Sequence, residues 1–165
     1  MKEAFELCEQ TQTYIFINSK AFAEKVHNWL RKENYSSYIM FSKMDKQERD
    51  KVMEKFRNLE ISVLITTNMI ARGIDVPEAQ LVINYDVPVD FNNKPPKGDA
   101  ETYMHRIGRG GRFGRPAIAL TLHNREQDKE MLYQILDRYK MKEKMQVLQG
   151  ADHLKQLLKE INEQE

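Results

Sequence analysis

The sequence predicts a single α/β domain with a doubly wound, mostly parallel sheet and helices on both faces. Short runs rich in β-branched and aromatic residues alternate with segments of helical periodicity. These runs are apolar at successive positions, which is typical of strands buried on both faces of a parallel sheet. The 165 residues, 41% of them apolar, suffice for one domain with its own core.

The strands and helices are expected in alternating order. Strands are predicted at residues 13–18, 38–41, 63–67, 81–86 and 117–123, with a further short strand at 146–148. Helices are predicted at 102–109, 125–139 and 152–161, and after the capping residues Ser19 and Asp45. The prolines and glycine of residues 90–99 predict a surface loop.

This fold class also predicts where functional residues lie. Ligands of parallel sheets gather beyond the carboxyl ends of the strands, which directs attention to the residues after Asn18, Thr67 and Asp86 and to the arginine-rich helix. Two helices carry apolar stripes that are expected to face the core. The first stripe consists of Phe22, Val26, Trp29 and Leu30. The second, for which docking of a partner is the alternative, consists of Leu154, Leu157, Leu158 and Ile161.

The composition excludes several classes of protein. The single cysteine, Cys8, excludes an intrachain disulfide and a cysteine zinc site, and it favours a reducing compartment. The first ten residues have no apolar signal core, and no apolar run approaches the ~20 residues that cross a bilayer, so a soluble protein without a membrane partner is expected. The 26 lysines and arginines balance 25 acids, so any nucleic-acid site depends on local clustering of charge.

The strongest chemical signal is the run 105–115, in which four arginines recur at every third position among four of the seven glycines. Arginine offers phosphate oxygens a planar, permanently charged partner, and glycine lets the backbone approach a ligand closely. On a helix Arg106 and Arg109 share a face. A break at 110–111 would turn Arg112 toward Arg109, where both would suit charge that develops on a transferred phosphoryl group. The alternative is a solvated basic helix end that pairs with surface acids.

Three weaker segments lie at strand ends or helix starts. Two threonines end a buried strand at 66–67 with hydroxyls suited to phosphate or sugar contacts, and Asp75 follows an Arg-Gly pair. Alternatively, Asp75 pairs with that arginine or caps a helix. The segment 15–20 delivers Asn, Ser and Lys at a strand tip, and 44–49 opens a helix with charged residues. Both also have an ordinary structural interpretation.

Taken together and in order, the segments resemble the C-terminal lobe of DEAD-box ATP-dependent RNA helicases, which implies a RecA-like fold. The resemblance extends from about Tyr14 to His123. The similar segments are motif four at 16–20, the helix-start motif at 46–49, motif five at 67–75, the following strand at 82–88 and motif six at 105–112.

The resemblance implies a role for each matching residue. Arg109 and Arg112 are expected to be arginine fingers that contact the γ-phosphate of ATP, and His105 is expected to help couple two lobes. The nucleotide side of the site is completed by Asp75 at the ribose, with Arg72 and Gly73 in support. The expected contacts to the RNA backbone, independent of base sequence, come from Asn18, Ser19, Arg49, Thr66 and Thr67.

The resemblance also implies what lies outside the chain. Neither a Gly-x-x-x-x-Gly-Lys-Thr phosphate loop nor an Asp-Glu-Ala-Asp run occurs in residues 1–165. ATP and Mg²⁺ are therefore expected to be held mainly by an upstream RecA-like lobe that is the chain's first partner, while the isolated chain, expected to be a monomer, is inactive. The segment Thr66-Thr67-Asn68 and the loop 89–101 resemble the mRNA-export branch of the family. That branch implies an export activator acting with inositol hexakisphosphate, and a cytoplasmic or nuclear location that includes the nuclear pore.

Several positions depart from the family pattern. Gly110 stands where the family usually has Thr, Lys46 where it has Gln, Ser42-Lys43 where it has Gly-Asp, and Pro116-Ala117 where it has Lys-Gly. A glycine inside a helix costs about 0.5–1 kcal/mol relative to alanine, so a looser finger helix is expected. These departures leave open a catalytically weak RNA clamp or partner-binding platform. A DNA translocase lobe is a further alternative, although motif six of those enzymes typically begins with Gln rather than His105.

Overall fold

A computed structural model describes residues 12–41, 43–67, 79–111 and 117–162. The strands are β1 (Thr13–Phe16), β2 (Ser37–Met40), β3 (Val63–Thr66), β4 (Leu81–Asn84), β5 (Val89–Asp90), β6 (Lys97–Gly98) and β7 (Ile118–Thr121). The helices are α1 (Lys20–Lys32), α2 (Lys46–Arg57), α3 (Ala100–Ile107), α4 (Glu126–Arg138) and α5 (Ala151–Asn162), with a 3-10 turn at Lys142–Lys144.

Five strands form one parallel sheet in the order β2-β3-β1-β4-β7. The register places Phe16 beside Thr66 on one side and Asn84 on the other, so β1, β3 and β4 reach the same edge together. The predicted parallel sheet is confirmed. Each strand ends one or two residues before the predicted boundary, although Ile17, Tyr85 and Leu122, which follow β1, β4 and β7, still donate backbone hydrogen bonds to neighbouring strands.

Helices cover both faces, as predicted. On one face, Ala23, Val26 and Leu30 of α1 pack against buried residues of the central strands. On the other face, α2 buries Val52 and Phe56 in a second cluster. Helix α3 crosses this second face, and its Arg106 guanidinium carbon lies 5.3 Å from the centroid of the Phe16 ring. A third cluster joins α3 to α4.

Helix α3 begins and ends earlier than the predicted span of 102–109. It begins at Ala100 because the Asp99 carboxylate accepts hydrogen bonds from the Thr102 backbone N–H at 2.9 Å and the Thr102 hydroxyl at 2.6 Å. It ends at Ile107 with Gly108 as its C-cap. The break was predicted at 110–111, and only the second of these glycines, with a φ of 62°, has the left-handed backbone that favours glycine.

Other expectations are corrected by long-range packing. The loop predicted at 90–99 contains the antiparallel pair β5-β6, and the strand predicted at 146–148 is irregular chain. Phe22, expected in the core, is 50% exposed, although its ring still contacts that of Tyr85. On α5, Leu154 is buried and Leu157 is half-buried, which confirms a core-facing side at those positions. None of the described helices is long and apolar enough to cross a membrane.

Candidate functional site

The carboxyl edge of the sheet brings together the residues predicted to contact RNA. Ser19 follows β1 and occupies the N-cap position of α1, but its hydroxyl makes no capping hydrogen bond. Thr67 follows β3 and is half-buried. Thr66 is 0% exposed and its hydroxyl donates to the Thr67 carbonyl at 3.0 Å, so among the three hydroxyls predicted to contact RNA the accessible ones are those of Ser19 and Thr67.

Basic side chains border this edge. Half-buried Arg49 of α2 donates from Nη2 to the Met44 carbonyl at 3.0 Å, which fixes the guanidinium beside the end of β2. The Lys20 ammonium lies 4.8 Å from the centroid of the Phe41 ring. The nearby Asp45 carboxylate accepts from the Glu48 N–H at 2.8 Å and thereby caps α2. The positive groups of Arg49 and Lys20, together with the hydroxyls of Ser19 and Thr67, are suited to contact phosphate oxygens.

Arg106 links this edge to α3. It is 0% exposed, and its Nη2 donates to Asn18 Oδ1 at 2.7 Å while Nη1 donates to the Asp86 carbonyl at 2.9 Å and to Asn84 Oδ1 at 3.4 Å. Asn18, although exposed, has its amide engaged twice, since Nδ2 donates to the Val87 carbonyl. Asn18 was predicted to contact RNA, and in this structure its side chain holds the tip of β1 against α3.

Burial sets the proton affinities of this cluster. Desolvation lowers the pKa of Arg106 to about 10, against the opposing attraction of Asp86 and Asp99, and it therefore remains charged at neutral pH. Desolvation also raises the pKa of Asp86, although the Asn18 N–H and the Arg106 charge favour its ionised form. Tyr103, whose hydroxyl lies 3.2 Å from Thr121 Oγ1, has a pKa raised by burial.

Arg109 lies away from this edge, at the amino end of β4. Its carbonyl accepts from the Ala79 N–H at 3.2 Å, and its Nε donates to the His105 carbonyl at 3.2 Å. Arg109 is near enough to Tyr14 for its charge to oppose the rise that burial causes in the tyrosine pKa. His105 is half-buried, and its Nδ1 is a buried atom with no hydrogen-bond partner.

The structure therefore separates two groups of predicted site residues. Asn18, Ser19, Arg49, Thr66 and Thr67 surround the carboxyl edge, whereas His105 and Arg109 belong to the far end of α3. The prediction that Arg106 and Arg109 share a face of one helix is wrong, because the helix ends at Ile107. The prediction that the arginine-rich segment as a whole lies at the carboxyl edge is also wrong. The predicted residues Arg72, Gly73, Asp75 and Arg112 lie outside the described residues.

Sequence reasoning assigned no role in the site to Arg106, Asp86 or Asn84. Asn84 is the one polar residue of the β4 run Leu-Val-Ile-Asn, and a polar side chain in a buried strand must find a hydrogen-bond partner. Asn84 Nδ2 donates to Thr121 Oγ1 at 3.2 Å, and Asn84 is 0% exposed. That polar position was the available signal for a buried network.

Comparison with known proteins identifies the class. Residues 1–114 match the family described as helicase conserved C-terminal domain, and the chain belongs to this family. It is a C-terminal lobe of the DEAD-box RNA helicase type.

Within that class the chain is similar to Dbp5. It is 41% identical over 135 residues to the ATP-dependent RNA helicase DBP5 of Meyerozyma guilliermondii, covering 82% of this chain and 27% of that protein. The C-terminal domain of the DEAD-box protein Dbp5 superposes with a TM-score of 0.78 at 29% identity, over 98% of this chain and 92% of that one.

Two solved complexes of Dbp5 resemble the chain as well. S. cerevisiae Dbp5 bound to RNA and ADP BeF3 has a TM-score of 0.80 at 31% identity, over 98% of this chain and 40% of that one. A variant of S. cerevisiae Dbp5 bound to Nup159, a Gle1 variant, IP6 and ADP has a TM-score of 0.77 at 27% identity, over 98% and 41%. The chain thus spans less than half of each of these two Dbp5 chains and about a quarter of the DBP5 protein of Meyerozyma guilliermondii.

Proposed function

We propose that the chain is the second lobe of a two-lobe, RNA-stimulated ATPase that locally unwinds RNA duplexes. The observation that carries this proposal is the path of α3. Arg106 fixes the helix to the strand tip that precedes Ser19, and the segment after the helix places Arg109 against Ala79. One short helix is thereby tied to the predicted RNA edge and leads directly into the segment that carries Arg109.

The two lobes would divide the chemistry of hydrolysis. ATP and Mg²⁺ would be held mainly by the upstream lobe, and closure of the lobes would bring Arg109 and Arg112 to the γ-phosphate. Their fixed positive charges would then stabilise negative charge that develops on the transferred phosphoryl group. His105 and the segment containing Arg72, Gly73 and Asp75 would complete the side of the site that this chain provides.

RNA would lie along the carboxyl edge. The hydroxyls of Ser19 and Thr67 and the guanidinium of Arg49 are groups that bind phosphate and sugar oxygens without regard to base sequence. Asn18 and Thr66 would support this surface through their backbone and their internal hydrogen bonds. RNA held across both lobes would be bent on closure, which would unpair a short duplex, and hydrolysis would reopen the clamp.

The similarity to Dbp5 also supports a role in mRNA export. A Gle1-like export activator acting with inositol hexakisphosphate is the proposed regulatory partner, because Dbp5 is seen with Gle1 and IP6. The proposed location is cytoplasmic and nuclear, including the nuclear pore. The lobe is proposed to act within a monomeric protein.

The test is RNA-stimulated ATP hydrolysis by the two-lobe protein, wild type beside Arg109→Ala. An arginine finger is worth on the order of 10³-fold or more in kcat, so the variant should lose nearly all stimulated turnover while still binding ATP. Arg138→Ala is the matched control, because Arg138 is an exposed arginine on α4 and lies outside the site.

Three outcomes separate the proposals. Unchanged turnover in Arg109→Ala would reject the finger role. A wild-type protein that binds RNA but shows no turnover would support the catalytically weak RNA clamp or partner platform instead. The 165-residue chain alone is expected to hydrolyse no ATP above a mock preparation, and measurable turnover would contradict the need for a second lobe.

A further inference from the structure

The segment that follows α3 passes very close to the start of β7. Gly110 forms an isolated parallel bridge with Ala79, and its N–H donates to the Ile107 carbonyl at 3.0 Å. A Cβ atom built on Gly110 would lie 2.9 Å from the Ala117 Cβ and 3.5 Å from Val82 Cγ2. The Ala117 methyl therefore occupies the space that a side chain at 110 would need.

This contact leaves little freedom for adjustment. Real side chains do not bring two carbon atoms to such a distance, and a Cβ cannot rotate away because the backbone fixes its position. Backbone conformation is not the restriction, because the glycines with positive φ among the described residues are Gly111 and Gly150. Gly110 is excluded from carrying a side chain by Ala117, and the two departures from the family pattern, Gly for Thr and Ala for Gly, concern one shared volume.

We propose that Ala117 is a positioning residue for the arginine segment 109–111. Its methyl packs beside Val82 on the bare backbone of Gly110 and holds that backbone in its bridge to Ala79. Arg109, whose carbonyl is bound by the Ala79 N–H, keeps its place through this contact. The inference rests on the proposed finger role of Arg109. The sequence led us to expect that Gly110 loosens the finger helix, whereas in the structure Gly110 follows that helix and packs against Ala117.

The experiment is a double-mutant cycle in the two-lobe protein with Gly110→Ala, Ala117→Gly and the pair. A new methyl at 110 must push the segment out of place, and a displacement of about 1 Å at a reacting group can cost on the order of 10²-fold in rate. Gly110→Ala should therefore lower the RNA-stimulated kcat by about tenfold to 10²-fold, with the KM for ATP nearly unchanged. The double variant should recover to within about threefold of wild type, because the second change reopens the space.

Ala119→Gly is the matched control. Ala119 is an exposed alanine on β7, the strand that begins directly after Ala117. Adding this change to Gly110→Ala should restore nothing. A double variant whose loss of kcat equals the product of the two single losses would overturn the inference, as would a Gly110→Ala protein with wild-type kcat.

A second measurement keeps the inference separate from the proposed function. The stability of the same three variants is measured by urea unfolding of the 165-residue chain, a readout that does not depend on catalysis. Gly110→Ala should lower the unfolding midpoint, and Ala117→Gly should raise it again in the double variant. Additive shifts would overturn the steric pairing even if Arg109 proves to be a finger. Coupled shifts without a coupled kcat would overturn the positioning role.

Discussion

Replacing Arg106 by Met is expected to destabilise the domain by up to about 3 kcal/mol. The change leaves part-buried acceptors without a donor, chiefly Asn18 Oδ1 and the Asp86 carbonyl, which accept from Arg106 at 2.7 and 2.9 Å. Each acceptor left without a partner costs about 1–3 kcal/mol, and the more distant Asn84 Oδ1 adds less, so the loss is about 3–6 kcal/mol.

A second effect opposes that loss. Burial lowers the pKa of Arg106 from 12.5 to about 10, which means that folding disfavours the charged form of the side chain. A fall of that size corresponds to roughly 3 kcal/mol, and the neutral methionine no longer incurs it. The acceptors outweigh the relief, and the balance gives the net destabilisation.

Arg106→Lys discriminates between charge and shape. Lysine retains a positive charge, but a compact ammonium is more strongly hydrated and cannot reach Asn18 and Asp86 as two arms of a planar fork do. The lysine variant should therefore be at least as unstable as the methionine variant. Urea unfolding of the chain, followed by the fluorescence of its single tryptophan, Trp29, measures both.

Arg138→Met, at an exposed position on α4, should change stability by no more than about 0.5 kcal/mol. An Arg106→Lys protein as stable as wild type would refute the argument that the guanidinium fork is what the site requires.

Three further changes test other parts of the structure. Gly98→Ala should destabilise the chain by about 1–3 kcal/mol, because a Cβ there would meet Ile135 Cδ1 at 2.8 Å; an unchanged thermal midpoint would contradict this packing. Asp86→Asn should alter the pH dependence of stability. Since the folded-state pKa of Asp86 lies above 3.8, ionisation disfavours folding, and wild type should lose stability relative to the variant as pH rises from below 3.8 through the raised pKa. A difference that stays constant in urea unfolding across that pH series would show that Asp86 does not titrate in this way. In the two-lobe protein, Arg49→Ala should reduce the slope of log affinity for single-stranded RNA against log salt by about 0.7, whereas Lys55→Ala, on the same helix, should leave it unchanged. Equal slopes for wild type and Arg49→Ala would remove Arg49 from the phosphate contacts.

Local patterns predicted the architecture well because a buried parallel strand has a strong signature. The apolar runs around Ile15, Leu64 and Val82 became neighbouring strands, and Asp45 caps α2 as its residue type predicts. What the sequence could not specify was set by distant contacts. The β5-β6 pair depends on packing of Gly98 against α4, which no local pattern reveals.

The arginine segment shows the same limit at the site. Arg106 and Arg109 are successive members of the series of arginines at every third residue. Arg106 is nevertheless fully buried, whereas Arg109 is half-buried. The difference arises where α3 stops, and Gly108 rather than the later glycine pair stops it. Spacing alone predicted a shared face, because it assumed that the helix continued.

The direction of α3 explains how two neighbouring arginines reach different places. The helix starts at the carboxyl edge, where the Asp99 N–H donates to the Pro88 carbonyl at 2.8 Å, and its eight residues extend about 12 Å toward the amino end of β4. Side chains on a helix tilt toward its N-terminus, so Arg106 reaches back to Asn18. Arg109 lies beyond the end of the helix, so the Ala79 contact fixes its position instead. The last turn of α3 is thus tied to the proposed RNA edge through Arg106, whereas the Ala79 contact positions Arg109 of the proposed finger segment.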